Sequence, residues 1–208
     1  MIQKFAKCFC FLIGLLLAGH GVAQDRMVKV EKPVLTPQPD KALVVFVRSS
    51  IVVGAYSAVI YDTVESTKDG EEKVVGIVGS HAKIAYQADP GKRWFFTTGG
   101  GGQANHLLAN LVAGKTYYVM VKPHWGFIPS FSLRPVSREV GAEYPFDQKE
   151  IDAWKTEEDY YETTPDMEVW KKENIESIIE KKRDSLARWQ SLDAEQKDAL
   201  TLKESEGH

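Results

Sequence analysis

Apolar and polar positions fall into three regimes along this chain. The first is an unbroken apolar run, Cys8 to Ala18, between Lys4 and Lys7 on one side and the small residues Gly21 and Ala23 on the other. The run is too short to span a bilayer, which takes about 18 residues or more. A charged start, a short apolar stretch and a small-x-small exit predict a secretory signal over residues 1–23, cut between Ala23 and Gln24. An uncleaved N-terminal anchor is the alternative. Residues 24–40 are polar and carry Pro33, Pro37 and Pro39, which predicts an extended linker.

The second regime, from Lys41 to about Arg138, has the short periods of β structure. Ala42 to Val47 is continuously apolar and rich in β-branched residues, as in a central strand buried on both faces. Strands are expected at 57–62, 73–79, 83–87, 93–98, 107–112 and 116–122, with a last edge strand at 131–135. Asp69-Gly70, Asp89-Pro90-Gly91-Lys92 and Ala113-Gly114-Lys115 mark turns, and the two Gly-Lys turns read as hairpin corners. Short strands at close spacing predict a mainly β fold: an antiparallel β-sandwich of about 7–8 strands over residues 41–142.

The third regime is helical and charged, over residues 143–208. Thr164, Pro165, Asp166 and Glu168 form a helix start. Ile175, Ile178, Ile179, Leu186 and Trp189 then fall on one face, predicting a single helix of roughly 25 residues with a narrow apolar stripe. Asp193 with Gln196 resembles a capping box opening a short helix to Leu200, and the last six residues read as a frayed end. The whole is a C-terminal helical appendage.

Both cysteines, Cys8 and Cys10, lie inside the leader. The chain beyond it therefore has no disulfide, thiol chemistry or cysteine-based metal site. Removing residues 1–23 takes Lys4 and Lys7 and no acid, which moves the formal net charge from −3 to −5. That balance argues against a nucleic-acid partner, which calls for a basic face.

Candidate chemistry is sparse. Gly114-Lys115-Thr116 looks like the tail of a phosphate loop, but position 109 is Ala109 and a strand pattern follows, where that loop needs glycine and a helix. Gly99 to Gly102 reads as a mobile loop between strands. His81, His106, His124 and His208 show no metal-ligand spacing, and no Gly-x-Ser-x-Gly elbow is present, so no cofactor, metal or catalytic residue is assigned. Trp154, Tyr160 and Tyr161 sit among acids in what reads as a solvated linker. The one candidate interaction site is the loop of His124, Trp125 and Phe127, whose aromatics could grip a sugar, peptide or protein partner. The competing reading, more common for such residues, has both rings capping the end of the sandwich. A second candidate surface is the helix stripe.

Three stretches, Lys41 to Arg48, Asp89 to Lys92 before an aromatic strand, and Leu111 to Val119, together resemble an uncharacterised bacterial envelope domain found in lipoproteins and small exported proteins. The resemblance covers roughly residues 40–140. It implies a compact β-sandwich similar to PEGA or carboxypeptidase-regulatory-like modules, with no catalytic residues to carry over. The segment from Trp189 to Lys197 resembles the tails of such proteins. Lipid anchoring is common among them, but Leu17-Ala18-Gly19 is followed here by His20 where a lipidated chain has cysteine, so no lipid anchor is expected. The expected protein is an exported, periplasmic, non-enzymatic binding or structural module of the cell envelope. It is soluble after signal cleavage, touches the membrane only transiently through its leader, and has an envelope protein or glycan as partner. The alternative is an envelope hydrolase with scattered catalytic groups.

Overall fold

A computed structural model describes residues 26–49, 54–157 and 159–208. The leader reading, with His20 and the Ala23/Gln24 cut, falls outside them. Among the described residues the chain is mainly β. It forms β1 (Met27–Lys29), β2 (Ala42–Val47), β3 (Ala58–Thr63), β4 (Lys73–Val78), β5 (Lys83–Ala88), β6 (Gly91–Gly99), β7 (Asn105–Leu111), β8 (Thr116–His124) and β9 (Ser130–Pro135). There follow α1 (Gln148–Thr156), β10 (Tyr161–Thr163), α2 (Asp166–Glu173), α3 (Ile175–Ser191), α4 (Ala194–Ala199), β11 (Thr201–Leu202) and a turn of 3-10 helix, Glu204–Glu206.

Two sheets lie face to face in a sandwich-like arrangement, with strand orders β11-β7-β6-β3-β4 and β5-β2-β8-β9. These two sheets hold nine strands and are mixed, and β1 with β10 forms a third, so the described residues hold eleven strands where seven or eight antiparallel ones were expected. β2 runs parallel to β8, and β7 parallel to β11. The reason lies at the two Gly-Lys corners. They are not hairpins: β5 and β6 belong to different sheets, as do β7 and β8. Gly91 (φ 98°) and Gly114 (φ 76°) take left-handed angles, and the chain steps from one sheet to the other at each. At the second corner the Gly114 amide donates to Lys41 O at 2.8 Å, and Leu43 N donates to Lys115 O at 2.9 Å. A short turn rich in Gly and Lys has the same local signature whether the next strand pairs with the last one or crosses to the facing sheet.

Alternation along each strand builds the interior. Val44, Phe46, Ile60, Phe95, Leu107, Tyr117, Val119 and Leu133 meet between the sheets. The other faces are covered as well. Leu43, Val45 and Val47 pack with Tyr118 under Ile151 and Trp154 of α1, while Val59, Tyr61 and Phe96 pack under Met167 and Ile178 of α2 and α3. The uninterrupted apolar run of β2 is thereby explained, with every residue from Ala42 to Val47 buried. Trp154 and Tyr160 are buried and belong to this covering layer, not to a solvated linker. Asp147 starts α1 by accepting from the amides of Lys149 (2.8 Å) and Glu150 (3.1 Å). No helix among the described residues is long and apolar enough to cross a membrane.

Three further expectations change. The single long helix is two, broken at Asn174 (φ −110°, ψ 9°), whose side chain donates to Trp170 O at 2.8 Å and competes with the backbone ladder. On α3 the inward positions are Ile178, Ser185 and Trp189, while Leu186 is exposed. The proline-bearing segment, read as a linker, carries β1, which pairs with β10, and its Val30 and Leu35 pack against the covering layer. The final residues are not frayed. Leu202 is fully buried in β11, and Thr116 and His208 exchange two backbone bonds of 3.0 Å. The capping box of Asp193 and Gln196 forms as expected.

Two buried charge clusters fasten the layers. Asp62, inside the core, accepts from Arg93 Nε (2.9 Å) and Nη2 (2.6 Å) and from the Tyr86 hydroxyl (2.7 Å). Tyr86 and Arg93 stand on opposite sheets. Glu72 is fully buried, accepts from the Gly70 amide at 2.9 Å and holds Lys182 of α3 in an ion pair. Lys182 also lies 3.1 Å from Asp69.

Candidate interaction loop

The pairings Val47 with Met120, Ala58 with Gly99 and Ala58 with Val78 bring four connections to one end of the two sheets: β2–β3, β4–β5, β6–β7 and β8–β9. The β8–β9 hairpin projects from this end. Trp125 is 78% exposed, Ile128 58%, and Phe127 is as exposed as in an extended chain. The two rings therefore do not cap the core, as the competing sequence reading had it. Core capping at this end falls to Phe131, which is 1% exposed.

The base of the hairpin is built to hold that tip. Arg48, at the end of the apolar β2 run, is fully buried. Its guanidinium donates to Tyr56 O at 2.7 Å and lies 4.9 Å from the Phe131 ring centre. Asn105 Nδ2 donates to Phe131 O at 2.7 Å. The glycine run, read as a mobile loop, lies against Pro129: the Gly102 amide donates to Pro129 O at 3.1 Å, and a Cβ on Gly102 would stand 2.6 Å from that oxygen. Only glycine lets the β6–β7 connection pass so close.

Of the three residues singled out in the sequence, Trp125 and Phe127 reach the tip and His124 does not. The His124 Nε2 lies 2.7 Å from Ser132 Oγ, turned back along the hairpin. Burial first, then Lys122 and Arg134, hold its pKa below the ordinary value. Ile128, inside the same loop but not singled out in the sequence, follows Phe127 directly and extends the same apolar tip. Arg48 was also missed, although a lone arginine closing a six-residue apolar run is a visible signal for a buried anchor.

Two other places bring titratable groups together. His106 Nδ1 of β7 hydrogen-bonds Ser185 Oγ of α3, but the pair is enclosed between strand and helix, at 5% and 2% exposure. Burial, then Lys182 and Arg188, lower the His106 pKa to about 4. Because the folded value lies below the unfolded one, the neutral ring's contribution is complete above about pH 6.5 and disappears as pH falls through about 4. We expect acid to cost on the order of 3 kcal/mol at this residue alone. Melting curves between pH 7 and pH 4 check this: His106→Phe should flatten the acid loss relative to the parent chain, and an unchanged slope would rule His106 out as its source.

The other place is a cleft of about 560 Å³ between the residues after β9 and α4. It carries Glu139, Glu143, Asp198, Lys203 and Glu206. Lys203 Nζ bonds Glu139 and Asp198, each at 2.7 Å, and the Lys203 amide donates to Glu206 at 2.8 Å. Glu143 is paired with Lys122 and Arg134. These charges are committed to one another, as in a structural network. Burial raises the Glu206 pKa. Among the described residues, no group of three or more His, Cys, Asp or Glu side chains is placed to hold a metal ion. No protein-family model matches this chain, and no curated protein matches its sequence.

Proposed function

We propose that this chain is an exported, non-catalytic binding module of the bacterial cell envelope, working through the loop end that carries Trp125 and Phe127. The observation that carries the reading is the exposure of three large apolar side chains on a hairpin whose base is pinned by Arg48, Asn105 and Gly102. Large apolar groups held out in water on a fixed support mark interaction sites. The signal pattern of residues 1–23 and the resemblance over residues 40–140 to lipoprotein-associated envelope domains support the compartment. On this reading β2 to β9 are the eight strands of a β-sandwich, and β1, β10, β11 and the helices are additions that cover it. The protein is then periplasmic and, with His20 in place of a lipidation cysteine, carries no lipid anchor. The alternative, a hydrolase, is favoured only by the raised carboxyl of Glu206 in the 560 Å³ cleft.

A photo-crosslinking residue placed at Phe127 in intact cells tests the proposal. Val169, exposed on α2, is the control position. Adducts to an envelope component should form from position 127 and not from 169. The Trp125→Ser/Phe127→Ser chain should lose the component while its Tm stays within about 2 °C, since exposed side chains contribute little to stability. A fall in Tm with no change of adducts would mean that the loop is packing and not a binding surface.

A further inference from the structure

We propose that the partner of this loop end is a lipid surface, with Trp125, Phe127 and Ile128 seated in the interface of a bilayer. The proposal rests on the binding reading above and names its ligand. The argument comes from the charge map of the four connections at this end. Among the described residues, 48–49, 54–57, 79–82, 99–104 and 124–130 contain no Asp, Glu or Lys. Their basic groups are Arg48, which is fully buried, and the two imidazoles of His81 and His124. In a chain that is 26% charged, four connections without exposed permanent charge are a departure from the rest of the surface; the permanent charge at this end comes from neighbouring elements, with Lys83, Glu157 and Asp159 beside Ser49 and His81 and residues of α3 beside Ile128. The opposite end holds Asp40, Lys41, Asp69, Asp89, Lys92 and Lys115 around its turns.

The shape agrees with the charge. Trp125 and Phe127 stand out from the tip as exposed rings, and the cleft beside Ile128 lies between the tip, the glycine run and α3. A protein interface places its aromatic anchors in fitted pockets and rims them with paired hydrogen bonds. A bilayer interface asks less: apolar bulk, no ionised group beneath the headgroups, and backbone polar groups already satisfied. Here Tyr56 O and Pro129 O both accept bonds from within the chain. Tryptophan and other aromatic residues favour the headgroup level of a membrane. Tyr56, 44% exposed, stands at the same end and adds a ring with a polar rim.

Behind the tip lies a charged collar. A cleft beside Ile128 is bordered by Glu180, Lys181, Asp184 and Arg188 of α3, two acids and two bases. A balanced collar stops the approach at headgroup depth and gives no net attraction to anionic lipid. The binding is accordingly apolar, shallow and insensitive to lipid charge.

The test uses vesicles of zwitterionic phosphatidylcholine, with and without brominated acyl chains, and the fluorescence of the full chain. The brominated lipid should quench a component of emission that Trp125→Phe removes. Since the quenching is read at Trp125, attachment by another part of the chain does not produce it. Phe127→Ser/Ile128→Ser should lower partitioning of the tip by on the order of a hundredfold, with Tm unchanged. Adding anionic lipid, or raising salt from 0.1 to 0.5 M, should change it by less than about threefold. Quenching that is equal in the parent and Trp125→Phe chains would overturn the proposal, as would a tenfold gain with anionic lipid. If quenching is absent while crosslinks from position 127 reach a protein or a second copy of this chain, the lipid assignment fails and the binding reading stands. If neither quenching nor crosslinks appear, both fail.

Discussion

Replacing Asp62 by Ala is expected to lower the stability of this protein by about 3–5 kcal/mol, the largest single-residue effect we foresee. The carboxylate is buried between the sheets and makes three hydrogen bonds, two to Arg93 and one to Tyr86. Truncation would leave the Tyr86 phenol without its acceptor and the Arg93 guanidinium with its weaker 3.6 Å pair to Asp89. Breaking one member of such a cluster costs more than never having built it, because the remaining charge stays desolvated. Asp62→Asn keeps the shape and one acceptor, so its cost should be smaller. Urea titration with an unchanged m-value measures both. A loss below about 1 kcal/mol in Asp62→Ala would mean that Arg93 finds water or another acceptor, and that the cluster does not couple the sheets.

The second large effect concerns the last eight residues. Deleting Thr201 to His208 removes fully buried Leu202, the parallel pairing of β11 with β7, and the two bonds between Thr116 and His208. It also uncovers Phe146, whose ring centre lies 4.1 Å from that of His208. Burial of the leucine is worth about 2–3 kcal/mol and each backbone bond about 1, so the deletion should cost about 4 kcal/mol or more. It also exposes the edge of β7, an invitation to pair with another chain. Thermal unfolding and light scattering of the shortened protein test the two parts separately. An unchanged Tm would show that the end of the chain is not docked.

Much of the fold was legible because it rests on alternation. Ala42 to Val47 announces a strand buried on both faces, and Asp193 with Gln196 announces its cap; both form where the pattern puts them. What could not be read was long-range. Gly91 and Gly114 signal turns, but which sheet the next strand joins depends on residues far along the chain. Leu202 and Glu206 sit in a charged tail that looks frayed until β7 is placed beside it. The α3 stripe holds at Ile178 and Trp189 and fails at one position, since a helix face is decided by what it meets: Ser185 meets His106 where Leu186 was expected to point inward. At the candidate site the aromatic pair was visible and its exposure was not. Nothing local tells whether a Trp-Gly-Phe turn folds over a core or stands away from it; Phe131 already occupies the place the rings would have taken.

The parallel pairing of β2 with β8 has a temporal meaning. Leu43 cannot meet Thr116, nor Met27 meet Thr163, nor Thr201 meet Leu108, until long stretches of chain between them exist and have come together. Pairings so distant slow folding, because loop closure precedes the contacts that repay it. The sheets cannot close on a growing N-terminal half. The polypeptide therefore stays open and threadable while it is being made, and acquires its native shape only once its last strand has arrived.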